Sequence, residues 1–281
     1  MKILKYAIPY IVLSAFSYEF VKNGLQYASP LPFMAIRYLI GGISLLPLAK
    51  KIVINRNIIF LTILTTLSSG LWAYGLLYVS PSESAVLSYS MPLFALPLSL
   101  LLIKEKPEIT EILGITVGFL GVIIYSIPLG FGYTLIGLIF TLVNAFFWAS
   151  FTVFFRFLKN MDPFVVNSSQ LIIGSMFFFG FSFLDFKLDF TYNFIADLIY
   201  VSILGGSLTF ILWNQMLRME KVGKVTVLSF SVPLLTTAID GIETMSLPSD
   251  FSIVGITIMF SGILLSRLKG RKKKTAISRG N

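Results

Sequence analysis

The sequence contains no cysteine and no histidine, and only 12% of its 281 residues are charged. These absences exclude disulfides, thiolate nucleophiles, imidazole bases and the commonest soft metal ligands. Because most enzyme mechanisms need such groups, we expect a protein that is not an enzyme and that binds no metal or cofactor. An ordinary soluble domain has about 25% charged residues, so this chain has too few charges for a surface that faces water throughout.

Hydrophobic residues, by contrast, make up 56% of the chain. A chain of 281 residues cannot bury so many apolar side chains in one interior, and the excess must face the lipid bilayer. The formal net charge is +9. It does not indicate a nucleic-acid partner, because the basic residues are scattered between apolar runs instead of being gathered on one surface.

Charges, prolines and glycines divide the chain into apolar segments close to the roughly 20 residues that a membrane-spanning helix needs. They predict an all-α integral membrane protein with ten transmembrane helices. The predicted spans are residues 5–25, 32–49, 58–79, 84–102, 110–127, 133–155, 163–184, 194–217, 225–243 and 251–268.

The distribution of lysine and arginine gives an independent indication of topology. Nineteen of the 22 lysine and arginine residues fall at the termini or in alternate loops. The other side receives Lys187 alone, while Lys22 and Arg37 lie inside predicted spans. Since loops rich in lysine and arginine stay in the cytoplasm, we expect a multi-pass protein of the plasma membrane with both termini cytoplasmic.

The chain also contains an internal repeat at an offset of 141 positions. Residues 86–122 match residues 227–263 without a gap, with 13 identities in 37 positions, and the matches include two prolines and two glycines in each copy. We therefore divide the chain into halves at 1–130 and 131–268, followed by a basic cytoplasmic tail at 269–281.

Each half holds five predicted spans. Because five is an odd number, the second half must enter the membrane upside down relative to the first, which predicts two inverted five-helix repeats. Such halves can exchange conformations and open a shared pocket to either side in turn. This architecture favours a secondary transporter of small polar solutes over a static scaffold.

Several motifs resemble those of a known group. They are Ser-Tyr-Ser-Met-Pro at 88–92, Ser-Phe-Ser-Val-Pro at 229–233, Ser29-Pro30 before the Arg37 span, and Ile103 to Pro107 followed by Gly114 and Gly121. Together with the duplicated layout, they resemble the drug/metabolite transporter superfamily of the EamA type over nearly the whole chain. The resemblance implies a transporter, with export coupled to protons as the expected direction and energy source. In the second half, Ser246 stands where the first has Glu105, which weakens a functional reading of Glu105.

Two other classes of function remain open from the residues. A membrane receptor or sensor would show no solute flux and would need an output domain. A lipid-handling enzyme would need a clustered nucleophile and base, which the sequence does not contain. The expected partners of a transporter are a small solute such as an amino acid, the lipid bilayer and a coupling proton. The oligomeric state is not indicated.

Pro92 and Pro233 are expected near the middle of the fourth and ninth spans, where proline removes a backbone hydrogen bond and bends a helix. Each is a candidate hinge, and a fixed packing kink is the alternative. The serines of the two Ser-x-Ser-x-Pro segments can hydrogen-bond either a solute or the carbonyls that proline frees, and the second role is favoured.

Three charged residues lie inside spans, where each costs about 2.5 to 3.5 kcal/mol at the centre of a helix. They are Glu19, Lys22 and Arg37. We expect Glu19 to pair with Arg37 or Lys22 in the outer part of the pocket and to act as a proton-coupling carboxylate. A structural pair of Glu19 and Lys22, with both cations extended toward water, is the alternative.

Aromatic and amide side chains within the spans are further candidates to line the pocket, although any one of them could serve packing or the membrane interface. They are Trp72, Tyr74, Tyr78, Tyr89, Asn144, Trp148, Gln170, Trp213, Asn214 and Gln215, with Asp240 as a weaker candidate near the outer end of its span.

Overall fold

The computed structural model describes residues 2–127 and 134–268. Within these ranges the regular structure is helical, and one isolated antiparallel bridge joins Ala28 to Leu188. The prediction of an all-helical chain is therefore confirmed. The expected boundary between the halves, at 130, and the expected basic tail, at 269–281, lie outside the described residues.

Six α-helices come before the expected boundary. They are α1 (Leu4–Gly24), α2 (Pro30–Ala49), α3 (Arg56–Leu76), α4 (Pro81–Ser88), α5 (Met91–Ile103) and α6 (Ile109–Ser126). Seven come after it: α7 (Thr134–Phe155), α8 (Pro163–Phe181), α9 (Tyr192–Ile199), α10 (Thr209–Met219), α11 (Val222–Leu228), α12 (Ser231–Glu243) and α13 (Asp250–Arg267). A π-helical segment, Tyr200–Leu208, joins α9 to α10.

Eight helical segments in the described ranges are long and apolar enough to cross a membrane. They are Pro30–Ala49, Arg56–Leu76, Pro81–Ile103, Ile109–Ser126, Leu135–Leu158, Pro163–Leu184, Tyr192–Met219 and Val222–Glu243. The remaining two predicted spans correspond to α1, which carries Glu19 and Lys22 near its end, and to α13, whose apolar part is shorter. The count of ten spans stays a prediction.

The outer surface of the helices is apolar, as a lipid-facing surface must be. Large hydrophobic side chains such as Ile8, Leu101 and Phe183 are 58%, 74% and 77% exposed. A helix satisfies its backbone hydrogen bonds internally, and this is why helices are stable in lipid. Helix ends need other partners: the Asn55 side chain accepts from Ile58 N at the start of α3, and Ser80 and Glu83 form a capping box on α4.

Glycines allow α6 and α13 to approach until their backbones touch. A Cβ atom built on Gly114 would lie 2.6 Å from the Gly262 carbonyl oxygen, and one built on Gly121 would lie 2.5 Å from the Gly255 carbonyl oxygen. The contact is reciprocal, because a Cβ on Gly262 would lie 2.5 Å from the Gly114 oxygen and one on Gly255 would lie 2.7 Å from the Gly121 oxygen. Under the 141-residue offset, Gly114 is equivalent to Gly255 and Gly121 to Gly262.

The loops form two groups at opposite ends of the bundle. We call one group the basic face: there Arg156 pairs with Glu105 at 3.3 Å, and Lys224 pairs with Glu108 at 3.0 Å. The hydrogen bond from Lys224 is the main cause that lowers the pKa of Glu108. The other group is the opposite face, where Ser29 Oγ donates to Asp185 at 3.0 Å.

The substitution Gly121→Ala should destabilise the protein by about 1 to 3 kcal/mol, because the added methyl would meet the Gly255 carbonyl and the backbone of Met259. Thermal unfolding of the purified protein in detergent measures this change. Gly180→Ala is the matched control, since nothing lies within 4 Å of a Cβ at that position. Equal unfolding temperatures for the two variants would contradict the described α6–α13 contact.

Candidate solute-binding cavity

A cavity of about 90 Å³ lies in the middle of the helix bundle. Polar and aromatic residues of α1, α2, α3 and α7 line it, together with the break between α4 and α5 and the junction of the π segment with α10. The lining residues are Tyr10, Ser14, Ser17, Tyr18, Arg37, Ser68, Ser69, Trp72, Ser88, Tyr89, Asn144, Trp148, Gly205, Thr209 and Phe210. Because one water needs roughly 10 to 15 Å³ on such a measure, the space suits a small solute.

The α4–α5 span is interrupted beside the cavity. Helix α4 ends at Ser88, and Pro92 lies in the first turn of α5, where its missing N–H costs no helical bond. The α11–α12 span is interrupted in the same way before Pro233. The two prolines therefore begin new helices instead of bending continuous ones, which corrects the expected mid-helix kink. Their role as hinges stays a prediction.

The serines next to these prolines divide between two roles. Ser90 Oγ donates to the Leu87 carbonyl at 2.8 Å, and Ser229 Oγ donates to the Thr226 carbonyl at 2.5 Å. Each of these carbonyls also accepts the backbone N–H of the same serine, so the hydroxyl adds a second hydrogen bond where the helix breaks. Ser88, in contrast, accepts a hydrogen bond from the amide of Asn144 and lines the cavity.

Asn144 connects three helices at the cavity wall. Its Oδ1 accepts from Ser68 Oγ of α3 at 2.7 Å, and its Nδ2 donates to Ser88 Oγ of α4 at 2.9 Å. The residue is 5% exposed. One amide on α7 thus holds the positions of two cavity hydroxyls.

Aromatic rings form the remaining wall of the cavity. Tyr18 meets Trp72 edge to face with ring centroids 5.1 Å apart, and the hydroxyls of Tyr10 and Tyr89 lie 3.3 Å apart. Trp148 also lines the cavity. Trp213 lies behind this wall and is fully buried. Its ring centroid lies 4.9 Å from that of Tyr10 and 5.9 Å from that of Trp148, and the rings are tilted in both pairs.

Arg37 reaches the cavity from α2 and is only 5% exposed. Its Nε donates to the Val201 carbonyl at 3.0 Å, and its Nη2 donates to the Gly205 carbonyl at 3.3 Å. Both carbonyls belong to the π segment. The guanidinium carbon also lies 5.3 Å from the centroid of the Trp72 ring, a distance typical of a cation–π contact.

The expected ion pair of Glu19 with Arg37 or Lys22 is wrong. Lys22 Nζ instead donates to the Leu76 carbonyl at 2.5 Å and to the Val79 carbonyl at 3.1 Å, at the C-terminal end of α3, where carbonyls lack helical partners and attract cations. Arg37 is likewise held by the carbonyls of the π segment. Both cations are thus bound by backbone carbonyls and not by the Glu19 carboxylate.

Glu19 lies beside other carboxyl groups. Its side chain lies near Glu243, Asp240 and Lys22, and its buried Oε1 has no hydrogen-bond partner among the described residues. It does not line the central cavity. Asp240 accepts a hydrogen bond from Ser82 and lines a second cavity of about 370 Å³ at the opposite face.

Several other candidates lie away from the central cavity. Tyr74 stacks on Phe140 with ring centroids 5.8 Å apart. Gln170 Nε2 and Asn214 Nδ2 both donate to Asn167 Oδ1, at 2.7 Å and 3.1 Å. Gln215 is half-buried and does not line the cavity. Of the predicted residues, Arg37, Trp72, Tyr89, Asn144 and Trp148 are brought together at the cavity.

The sequence interpretation missed the contribution of α1. Tyr10, Ser14, Ser17 and Tyr18 all line the cavity. They follow the spacing i, i+4, i+7 and i+8, which places side chains on one face of a helix. A polar stripe of this kind in an otherwise apolar span was the signal that could have identified them.

The helical bundle and its central polar cavity define a multi-pass membrane transporter, and comparisons with known proteins identify its family. The EamA-like transporter family matches residues 1–127 and 135–268, so the chain belongs to this family. The resemblance to the drug/metabolite transporter superfamily is thereby confirmed.

Several relatives share this assignment. An uncharacterized transporter in the sor 3' region of Acidianus ambivalens is 55% identical over 248 residues, which cover 88% of this chain and 98% of the relative. The uncharacterized transporter YvbV of Bacillus subtilis is 26% identical over 95% of this chain and 92% of its own length. A crystal structure of another protein superimposes with a TM-score of 0.81 at 16% identity, over 96% of this chain and 99% of that one, and it shows the same fold.

Replacing Asn144 by alanine should destabilise the protein by about 1 to 3 kcal/mol, because the hydroxyls of Ser68 and Ser88 lose their shared partner. The unfolding midpoint in detergent measures the loss. Ser150→Ala on the same helix is the control, since that hydroxyl bonds only to the Phe146 carbonyl at an exposed site. If the two substitutions have the same small effect, Asn144 does not organise the cavity wall.

Proposed function

We propose that the protein carries a small polar solute through the central cavity by alternating access, as ten membrane spans arranged in two inverted five-helix halves. The single observation that carries this proposal is the polar cavity itself. It lies between helices of both halves, within a chain of a transporter family. Membership of a transporter family does not favour a receptor without solute flux. We propose no chemical reaction for this protein.

The reciprocal glycine contact supports the inverted repeat. In a two-fold arrangement, residue i meets residue j of the partner while j meets i. Gly114 meets Gly262, and their equivalents Gly255 and Gly121 meet each other. The interruptions before Pro92 and Pro233 also fall at equivalent positions. These matches suit two halves related by an axis in the membrane plane.

An ionic cluster at the basic face supports the inference that this conformation is closed there. Glu105 accepts from Arg156 at 3.3 Å and from the backbone N–H of Val222 at 3.0 Å. Arg156 in turn donates to the Glu220 carbonyl. Ser246, at the equivalent position in the second half, is exposed at the opposite face. We infer that the Glu105 cluster is the basic-face gate, and that the difference at Ser246 leaves the opposite face easier to open.

The carboxyl groups at the opposite end of α1 are the proposed site of proton coupling. Glu19 of α1 lies beside Glu243 and Asp240 of α12. Neighbouring carboxyl groups favour sharing a proton over carrying two charges, so proton binding there would bring α1 and α12 together. Export from the cytoplasm follows from the family resemblance. Location in the plasma membrane with cytoplasmic termini follows from the basic loops.

Purified native protein in proteoliposomes should catalyse saturable solute counterflow for at least one member of a panel of amino acids and related small metabolites. An imposed pH gradient should drive net flux. Glu19→Gln should abolish the pH-driven component, because an amide cannot release a proton, and it should retain exchange at equal pH.

Asp250→Asn is the matched control, since this carboxylate is exposed at the start of α13. The absence of exchange for every panel member would contradict transport of such metabolites. Equal pH-driven flux in the Glu19→Gln variant and the native protein would contradict the coupling role of Glu19.

Glu105→Gln should loosen the basic-face gate. The chain has no cysteine, so a single Ser14→Cys substitution provides a unique label in the cavity. A water-soluble maleimide added from the basic face should react about tenfold faster in the Glu105→Gln background, the factor expected for a charged hydrogen bond of about 1.5 kcal/mol. Ser246→Ala is the control at the equivalent position. An unchanged rate would contradict the gate.

A further inference from the structure

The central cavity carries a positive charge without a negative partner. Arg37 is the only charged residue among those that line it, and no aspartate or glutamate lines it within the described ranges. The groups that Arg37 does contact, the carbonyls of Val201 and Gly205 and the sulfur of Met34, are all neutral. A charge held in this way inside a membrane protein is unfavourable until an anion reaches it.

The guanidinium also has unused donors. It presents five N–H groups, and the structure gives partners to one on Nε, one on Nη1 and one on Nη2. One N–H on each terminal nitrogen remains. Two N–H groups of one planar guanidinium have the geometry that binds two oxygens of a carboxylate or a similar oxyanion.

Trp72 supplies a second, independent donor at the same wall. Its Nε1 is buried and has no hydrogen-bond partner among the residues that the structure describes. The Trp72 ring lines the cavity and lies 5.3 Å from the guanidinium carbon of Arg37. Buried donors without acceptors are rare, because each costs about 1 to 3 kcal/mol. An acceptor from outside the chain would satisfy both residues.

We propose that the transported solute carries a small oxyanion group, a carboxylate or an inorganic oxyanion, which binds the guanidinium of Arg37 and the indole N–H of Trp72. This inference rests on the proposed function and names its substrate class. A cationic solute would meet Arg37 with no carboxylate to offset the repulsion. The volume of about 90 Å³ has room for roughly six to nine waters at 10 to 15 Å³ each, which suits a small solute, and Tyr18 and Trp148 would contact its apolar part.

A purely structural role makes a different prediction. If Arg37 only holds the π segment through its two carbonyls, its loss would lower stability, and no anion would bind in the native cavity. Binding must therefore be measured apart from folding. The chain offers an internal probe, because its three tryptophans are Trp72 and Trp148 in the cavity wall and Trp213 directly behind it.

The experiment titrates tryptophan fluorescence of the purified protein in detergent with lactate and with sulfate, and with glycerol and ethanolamine as neutral and cationic controls. We expect saturable quenching by at least one of the two oxyanions and by neither control. Arg37→Gln should weaken the binding of the oxyanion at least about tenfold, because a charge-assisted hydrogen bond is lost. Arg37→Lys keeps the positive charge but lacks the paired N–H groups of the guanidinium, so it should retain part of the affinity.

Trp72→Phe is a second variant, which keeps the positive charge of Arg37 and serves if Arg37→Gln does not fold. It should bind the oxyanion several-fold more weakly. Its binding is measured by the fluorescence of Trp148 and Trp213. Lactate without sulfate would identify a carboxylate, and sulfate without lactate an inorganic oxyanion. Quenching by glycerol or ethanolamine with the same affinity, or unchanged oxyanion affinity in a folded Arg37→Gln variant, would overturn the proposal.

Counterflow in proteoliposomes with the same four solutes separates the two inferences. Oxyanion binding with oxyanion flux supports both. Oxyanion binding without flux of any solute would leave the anion site standing and overturn the transport proposal. Flux of glycerol or an amine alone would retain transport and overturn the oxyanion assignment.

Discussion

One buried cation organises the centre of this protein. Arg37 lies in a helix surrounded by apolar neighbours, where a charge costs about 2.5 to 3.5 kcal/mol on insertion scales. The cost is reduced by the carbonyls of Val201 and Gly205 in the π segment, which accept two of its N–H groups. The arginine and the irregular backbone thus depend on each other: the π segment provides the acceptors, and the arginine occupies them.

The hydrogen bonds between Arg37 and the π segment also require close packing of α2 against that segment. For the arginine to reach the π segment, α2 must lie against it, and Gly41 allows this, since a Cβ there would lie 2.9 Å from the Ser202 carbonyl. Ser207 Oγ then donates to the Gly41 carbonyl at 2.8 Å. Small residues and hydroxyls take the place of the large apolar side chains that fill a soluble core, as is usual between membrane helices. The cavity lies directly beside this contact.

Much of the fold could be predicted from the sequence because lipid imposes simple rules. The outer ends of the spans deduced from apolar length lie within three residues of those in the described ranges, although the breaks at 88–91, 199–209 and 228–231 were not deduced. Arg37 and Trp72 were recognised as candidates because charge and indole are rare in apolar spans. The partners of these residues could not be deduced, because the sequence contains no sign that Tyr200–Leu208 is π-helical or that its carbonyls would attract Arg37 more strongly than Glu19 does.

The amide side chains in the spans show a second limit of prediction from sequence. Gln170 and Asn214 are polar residues in membrane spans, yet both donate to Asn167 instead of lining the cavity, and among the described residues their side-chain carbonyl oxygens have no hydrogen-bond partner. Asn144 has the same chemistry and lies at the cavity because α7 faces α3 and α4 there. Residue type alone cannot separate these cases. The face that each helix presents decides between them, and that depends on packing over the whole bundle.

Because of the π segment, the number of residues in its span matters for the position of the cavity residues that follow it. A π-helical bond, from residue i to i+5, closes over one residue more than an α-helical bond, and Tyr192–Met219 is the longest of the eight apolar segments, at 28 residues. A substitution within 200–208 leaves this length unchanged. The loss of one residue there would change how far the following residues are turned around the helix axis, by about 100° where the helix is α-helical. Thr209 and Phe210, which line the cavity, and Trp213, which lies behind it, come directly after this stretch. We therefore expect insertions and deletions here to disturb the cavity more than substitutions do.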